Sequence, residues 1–276
     1  MPETPENVAA MRRAARDIRM QAVRMSHRSR AAHLGSALSC ADILAAAYWG
    51  VLRIDPRSPA DPDRDRFILS KGHAAAALFA ALALRGYFPQ DELQRFATAG
   101  CSMEEHPNPR SAPGVEAATG SLGHGLPIGN GMALAARITG RPSRAFVLMS
   151  DGEQNEGSVW EAAMFAAGQK LGNLCAIIDF NRWQATGRSC EVLALQPLAD
   201  KWRAFGWRVE EADGHDVAAL AALMSGPSTA VGQPLVIVAH TVKGKGVSFM
   251  EDDNNWHYRA PNDDELARAL AELEGA

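Results

Sequence analysis

The run Ser150-Asp151-Gly152-Glu153-Gln154-Asn155-Glu156-Gly157 lies between two apolar, strand-like segments, and it restricts the fold of this chain more than any other feature. Before it stands Ala145-Phe146-Val147-Leu148-Met149, a short apolar run suited to the buried middle of a parallel sheet. After it, Ser158 and Glu161 have the Ser-x-x-Glu spacing of a capping box, and the residues that follow are mostly good helix formers. That predicts a helix over Ser158 to Leu171. A second strand, Leu174 to Asp179, leads to Asn181. A right-handed strand-helix-strand crossover brings both strands out at one sheet edge, where ligands of open α/β sheets bind. Asp151 and Asn181 are therefore expected to face one ligand from a polar edge rather than from the core. One carboxylate, one amide oxygen and a backbone carbonyl make a sparse cage. They suit Mg²⁺, which completes its octahedron with phosphate oxygens and water. The missing ligands would be a diphosphate. An isolated Asp-Gly pair reads as a turn and Asn181 as a cap, but the combination favours the metal-diphosphate reading.

Length and composition fit a single α/β domain over residues 1–276. The chain has 276 residues with 47% hydrophobic content, enough to bury a substantial core. Helix-like and strand-like segments alternate without repeats or a low-complexity linker, which predicts a three-layer domain with a mostly parallel sheet flanked by helices. Helices are expected near 6–28, 39–51, 74–85, 90–98, 127–139, 158–171, 197–205, 217–224 and 263–273. Strands are expected near 66–69, 145–149, 174–179, 207–211 and 235–240. Residues 99–126 show no periodicity and are rich in Gly and Pro, and loops that long generally bind something. Its Gly120-Ser121-Leu122-Gly123-His124-Gly125 fails as a dinucleotide fingerprint, because no strand leads into it and the spacing is wrong.

A formal charge of -4 gives no reason to expect nucleic acid. The arginine-rich stretch from Arg12 to Arg30 has Ile18, Val23 and Met25 interspersed at helical spacing, so it reads as a solvated helix face. No apolar stretch approaches ~18 residues and the N-terminus lacks a signal-peptide core, so no membrane association and a cytoplasmic location are expected. Cys40, Cys101, Cys175 and Cys190 form no Cys-x-x-Cys pair, which indicates neither zinc nor a disulfide framework.

The Asp151 to Gly157 run, Glu161-Ala162, Leu171-Gly172-Asn173-Leu174 and Asn181 together resemble a thiamine-diphosphate signature. The flanking segments resemble transketolase: His33-Leu34-Gly35-Ser36, Ser70-Lys71-Gly72-His73, His106-Pro107, Gly120-Ser121-Leu122-Gly123-His124-Gly125, Asp213-Gly214-His215-Asp216 and Lys243-Gly244-Lys245-Gly246, in the family's order over residues 15–265. The match is best to the N-terminal half of transketolase, in the form split between two chains. The resemblance implies a thiamine-diphosphate-binding fold. Asp151, Asn181 and Trp183 would hold Mg²⁺, and Asp151, Gly152, Glu156, Asn181, His73 and His257 the cofactor. Gly120 and Leu122 would lie against its ring.

It further implies His33 and His73 beside the reacting carbons, His106 at the ketol end of the donor, and Glu156 in a proton-sharing network at a subunit interface. Imidazoles suit proton movement on sugar hydroxyls near neutral pH. The implied reaction moves a two-carbon ketol unit from a ketose to an aldose. It needs a separate pyrimidine-binding subunit, with two copies of each chain, and an apolar face around the 99–126 loop is expected to favour that association. Tyr258 stands where a glycine is expected, and Ala185 and Thr186 depart from the usual larger aliphatic residue and Asp. Glu104 and Glu105 replace a short glycine-rich stretch, which implies a substrate range that disfavours phosphate or sulfonate near them. Two alternatives stay open: a subunit of a two-chain enzyme acting on a 2-oxo acid, and a non-catalytic stabilising subunit.

Overall fold

The computed structural model describes residues 4–227 and 232–275. In chain order the elements are α1 (Pro5–Ser29), α2 (Leu34–Ser39), α3 (Ala41–Ala45), β1 (Arg66–Leu69), α4 (Ala75–Leu84), α5 (Gly125–Ile138), β2 (Ala145–Ser150), α6 (Gly157–Gly168), β3 (Leu174–Phe180), α7 (Ser189–Val192), α8 (Leu198–Ala204), β4 (Arg208–Asp213), α9 (Val217–Met224), β5 (Leu235–His240) and α10 (Asp263–Glu274). The strands form one sheet in the order β1-β2-β3-β5-β4, and every pairing is parallel. Parallel strands covered on both faces lack a polar side, which is why β2 and β3 read as unbroken apolar runs.

Strand alternation divides the core into two layers. Phe67, Phe146, Leu148, Cys175, Ile177 and Ile237 pack with α1, α3, α4 and α9. Ile68, Val147, Met149, Ala176, Ile178 and Val238 pack with α5, α6 and α8. The three-layer arrangement expected from sequence is thus present, with a wholly parallel sheet. In α1 the stripe Met11, Ala14, Ala15, Ile18, Ala22 and Val23 is buried while most of its arginines are not; Arg19 is the exception and pairs with Asp42.

Several expected boundaries shift for identifiable reasons. The segment 39–51 is not one helix: α2 and α3 meet at Cys40, which leaves helical geometry, and Ala46–Val51 winds as a π turn. Gln90–Arg95 forms a 3₁₀ turn rather than an α-helix. The capping box at Ser158 does not form. Glu156 is the N-cap, Ser158 lies inside α6, and its hydroxyl donates to the Gly123 carbonyl at 2.9 Å. The glycine loop had a use for that hydroxyl which sequence spacing could not reveal. The loop's apolar residues Met103, Ala112, Val115 and Ala117 are buried. Among the described residues, the exposed large apolar side chains are instead Ile138 on α5 and Met164 and Phe165 on α6, with Val192, Leu193 and Tyr258 elsewhere.

Two ionised groups lie at the centre. Lys71, just after β1, and Asp179, on β3, form a salt bridge with both side chains inaccessible to solvent. Burial opposes the charge on each, but mutual attraction outweighs it, so the Asp179 carboxyl sits below its usual range and the Lys71 ammonium above. Because Asp179 is depressed, its stabilising contribution is fully present at neutral pH and is lost as acid protonates it. Removing one partner leaves an uncompensated buried charge. Lys71→Met is expected to lower unfolding free energy by about 3–5 kcal/mol, measured as a shifted urea midpoint with unchanged slope. Lys71→Met combined with Asp179→Leu should recover most of that loss. A single variant as stable as the parent would show that the pair does not organise the sheet centre.

Candidate active site

The C-terminal strand ends open into a cavity of about 350 Å³. Its walls bring together His33, His73, His106, Gly120, Leu122, Gly152, Glu156, Asn181, Trp183 and His257, together with Ser36, Ser150, Asn155, Gln184, Ala185 and Thr186. Larger hollows of about 570 and 560 Å³ run along the surface loop 97–118. They gather fewer convergent polar groups, so chemistry rather than volume identifies the site.

Of the sequence-predicted residues, Asp151 alone is set back from the cavity wall. Register pairs Ser150 with Asp179, so Asp151 and Asn181 lie at neighbouring strand ends. They sit at the polar sheet edge, and both are nonetheless buried. The loops folded over the strand ends cover them. Asp151 accepts the Gly152 N–H at 2.9 Å and the Ser189 hydroxyl at 2.7 Å. Burial, joined by repulsion from Asp179, pushes its carboxyl up to about 7. Asn181 donates from Nδ2 to Asp179 at 3.4 Å and accepts the Trp183 N–H through Oδ1 at 3.0 Å. Its amide orientation is thereby fixed.

The opposite wall is imidazole-rich. The His33 ring centroid lies 4.9 Å from His257, 5.4 Å from His73 and 5.9 Å from His106. Lys243 donates from Nζ to His257 Nδ1 at 3.1 Å and to Asn254 at 2.7 Å. Burial, then His106 and Lys243, lowers His33 to about 4; burial, then Lys243, lowers His257 to about 3. His73 falls well below its usual value through burial and then Lys71. Burial, reinforced by Lys71, brings Lys243 down to about 8. At neutral pH these three imidazoles are neutral, suited to exchanging hydrogen bonds with hydroxyls. An anionic ligand would be met by one ammonium.

Glycines let loops close on this wall. A Cβ on Gly72 would lie 2.2 Å from the Thr119 carbonyl oxygen, and one on Gly125 2.2 Å from Ser70 Oγ. Ser70 donates to Glu153, which also accepts the Gly123 N–H at 2.8 Å, so a buried carboxylate ties the glycine loop to the ends of β1 and β2. Gly120 passes His106, and a Cβ there would be 3.8 Å from its ring. Glu156 is exposed at the rim, and His124 is exposed and bonded to the Leu122 carbonyl at 3.0 Å, outside the cavity.

These residues fit an Mg²⁺-diphosphate group. Asp151 is buried with no cationic partner in contact among the described residues, and a divalent cation would supply the missing charge. Three buried polar atoms on cavity-lining residues, His33 Nδ1, Asn155 Oδ1 and Gln184 Nε2, have no hydrogen-bond partner, and such atoms call for a ligand or water. Among the described residues no three His, Cys, Asp or Glu side chains converge on a metal position. Amide, carbonyl and phosphate oxygens would have to complete the shell.

The fold and site define an α/β thiamine-diphosphate-binding domain. The family described as "Transketolase, thiamine diphosphate binding domain" matches residues 10–274. Among relatives, the 6-deoxy-6-sulfo-D-fructose transketolase subunit SqwG of Clostridium sp. is 43% identical over 242 residues, 88% of each chain. An apulose-4-phosphate transketolase subunit of Phocaeicola vulgatus is 39% identical over 255 residues, 92% of this chain and 90% of that one. The solved transketolase of Campylobacter jejuni superposes with a TM-score of 0.91 at 27% identity, covering 97% of this chain and 43% of that one. The chain belongs to the transketolase family, as an N-terminal transketolase subunit, and is an enzyme component of the transferase class.

Sequence reasoning named the Lys243-Gly244-Lys245-Gly246 segment without giving Lys243 a role. Its signal was available: a lysine in a glycine-rich turn directly after a strand, facing the glycine of the first histidine loop. A Cβ on Gly35 would stand 3.0 Å from Lys243 Cγ. Glu153 and the Lys71–Asp179 pair were missed because contacts between distant loops leave no local pattern.

Proposed function

We propose that Asp151, Gly152, Asn181 and the Trp183 carbonyl hold Mg²⁺ and the diphosphate of thiamine diphosphate, with His73, His257 and Glu156 also toward the cofactor. In this reading the chain transfers a two-carbon ketol unit from a ketose to an aldose together with a separate pyrimidine-binding subunit. The observation that carries the reading is an uncompensated buried carboxylate just behind the wall of a cavity whose lining residues His33, Asn155 and Gln184 carry polar atoms without a hydrogen-bond partner. When bound, the cofactor supplies the chemistry for breaking and making the carbon-carbon bond. His33 and His73, as neutral imidazoles, hold and pass protons on sugar hydroxyls, and His106 lies toward the ketol end of the donor. Gly120 and Leu122 offer backbone and an apolar contact to the cofactor ring.

The exposed Met164 and Phe165, about two turns along α6 from the exposed Glu156, support a partner surface on that side. Two copies of each chain is the closed symmetric assembly we assign. Among the described residues no helix is long and apolar enough to cross a membrane, and we assign a cytoplasmic location, which cell fractionation would check. Purified alone with Mg²⁺ and thiamine diphosphate, the chain is expected to show no ketol transfer across several ketoses, with activity appearing when the companion subunit is added. Robust turnover by the chain alone would overturn the two-chain reading.

The metal assignment makes two effects of opposite direction. Without ligand, Asp151→Asn removes a carboxylate that burial disfavours and is expected to leave thermal stability unchanged or raised. It and Asn181→Ala are both expected to abolish Mg²⁺-dependent binding of thiamine diphosphate in calorimetry with the partner present. They should also abolish the stabilisation that ligand confers on the folded state. Unchanged cofactor affinity in both variants would remove these residues from the site.

For substrate range, Glu105 Oε2 lies 3.9 Å from His33 Nδ1, and Glu104 and Glu105 line the hollow that adjoins His106. Two carboxylates here favour hydroxyl-bearing sugars and repel phosphate or sulfonate nearby, which supports a natural substrate other than the common pentose phosphates. Turnover of xylulose 5-phosphate with ribose 5-phosphate at enzyme-typical rates of about tens per second would contradict it.

A further inference from the structure

Asn181 and Trp183 lie on a turn that leaves the end of β3, and little within the turn itself fixes it. The Gln184 N–H donates to the Gly187 carbonyl at 2.9 Å and the Ser189 N–H to the Arg182 carbonyl at 3.0 Å, with one antiparallel bridge between Trp183 and Arg188. A short exposed hairpin of that kind is marginal in water.

A second segment holds it. Asp252 receives three donors through one carboxylate: Arg188 Nη1 and Nη2, each at 2.6 Å, and the Trp183 indole N–H at 2.8 Å. The Arg188 guanidinium also lies 3.8 Å over the Trp183 ring. Bidentate pairing and stacking fix the guanidinium plane, which an ordinary surface ion pair does not do. The Asp252 N–H in turn donates to the Lys243 carbonyl at 2.8 Å, and Lys243 Nζ reaches His257. Asn254 and Tyr258, on the same segment, donate to the Ala185 carbonyl at 3.0 and 2.7 Å. One carboxylate therefore joins the turn bearing Asn181 and Trp183 to the strand-end loop bearing Lys243.

We propose that Asp252, through Arg188 and the Trp183 indole, is a positioning residue that presets the Trp183 carbonyl and Asn181 for the cofactor's cation. The inference rests on the cofactor reading above. Asp252 touches neither cofactor nor substrate. The pre-existing clamp spares binding the cost of ordering the turn, so its loss weakens cofactor capture and leaves turnover by the loaded site largely intact. Losses of about 10-fold or more are typical when groups that orient metal ligands are removed.

The test measures thiamine diphosphate affinity by calorimetry in the presence of Mg²⁺, for the full chain assembled with its companion subunit. The cofactor KM and kcat at saturating cofactor are measured on the same samples. Asp252→Ala and Arg188→Ala are each expected to weaken affinity about 10-fold and to keep kcat within about twofold. The double variant should be no worse than either single, since both dismantle one clamp. Asp252→Glu, which keeps the charge, is expected to recover part of the affinity. If Asp252→Ala fails to fold by thermal melting, Arg188→Lys, which keeps the charge but loses the fork, carries the same expectation. Unchanged affinity in both single variants overturns the proposal, and so do independent losses that multiply in the double variant. Absence of binding by the unaltered protein overturns the site reading and the clamp with it, a result distinct from normal binding by both parent and variants.

Discussion

The Lys71–Asp179 ion pair holds together the parts of the molecule that make a site possible. Asp179 receives the Lys71 ammonium, the Ser39 hydroxyl at 2.6 Å, the Thr241 hydroxyl and the Asn181 amide. Lys71 also donates to the Ser36 carbonyl at 2.9 Å. One buried carboxylate thus connects the ends of β1, β3 and β5 to α2, which follows the first histidine loop. A fully buried pair contributes modestly to net stability relative to an apolar replacement, because desolvation offsets much of the attraction. Its value here is positional: both Asp179 oxygens accept hydrogen bonds and the Lys71 ammonium has two assigned acceptors, so loop arrangements that break these contacts are disfavoured. Asn181 then inherits its amide orientation from the pair.

Above that pair the site is electrostatically divided. On one side Asp151 is a carboxylate that burial holds near neutrality; on the other, Lys243 keeps its ammonium at neutral pH although burial lowers it to about 8, and three imidazoles are held neutral by burial and by nearby positive charge. Asp151 and the imidazoles are ready to gain charge when a ligand of opposite sign arrives. A cation beside Asp151 favours its ionised form, and an anion beside Lys243, His73 and His257 favours theirs. In the proposed reading, metal and diphosphate would therefore each favour binding of the other, a coupling that neither wall would provide alone.

The sequence made some of this legible and hid the rest for physical reasons. Ala145–Met149 and Leu174–Asp179 were readable because a strand buried on both faces needs unbroken apolar residues. Register then placed Asp151 and Asn181 at adjacent ends without further information. The Ser158–Glu161 spacing misled because a serine hydroxyl satisfies whichever acceptor is nearest, and the nearest was the Gly123 carbonyl on a distant loop. The apolar residues of the 99–126 loop gave no sign that they would turn inward. The sequence placed helices at α5 and α6 without indicating which apolar residues stay outside, and Ile138, Met164 and Phe165 remain exposed. Asp252 was invisible in sequence because its partners Trp183 and Arg188 lie far along the chain and act on it only after the strands have paired.

Three of the six described non-glycine residues with positive φ, His33 at 68°, Arg182 at 69° and Asp252 at 57°, belong to the loops around the cavity, while Arg30, Ala97 and Lys170 lie elsewhere. Left-handed backbone at such residues costs about 1–3 kcal/mol each, and it persists only where surrounding contacts leave no alternative. His33 is held by its N–H to the His257 carbonyl at 2.9 Å and by helix α2 beginning directly after it. Arg182 lies between Asn181, anchored on Asp179, and Trp183, anchored on Asp252. Asp252 is fixed from both its backbone and its carboxylate. At these three positions the contacts of the central ion pair and of Asp252 hold the backbone on either side, so the positions of His33 and Trp183 on the cavity wall are set by the fold itself.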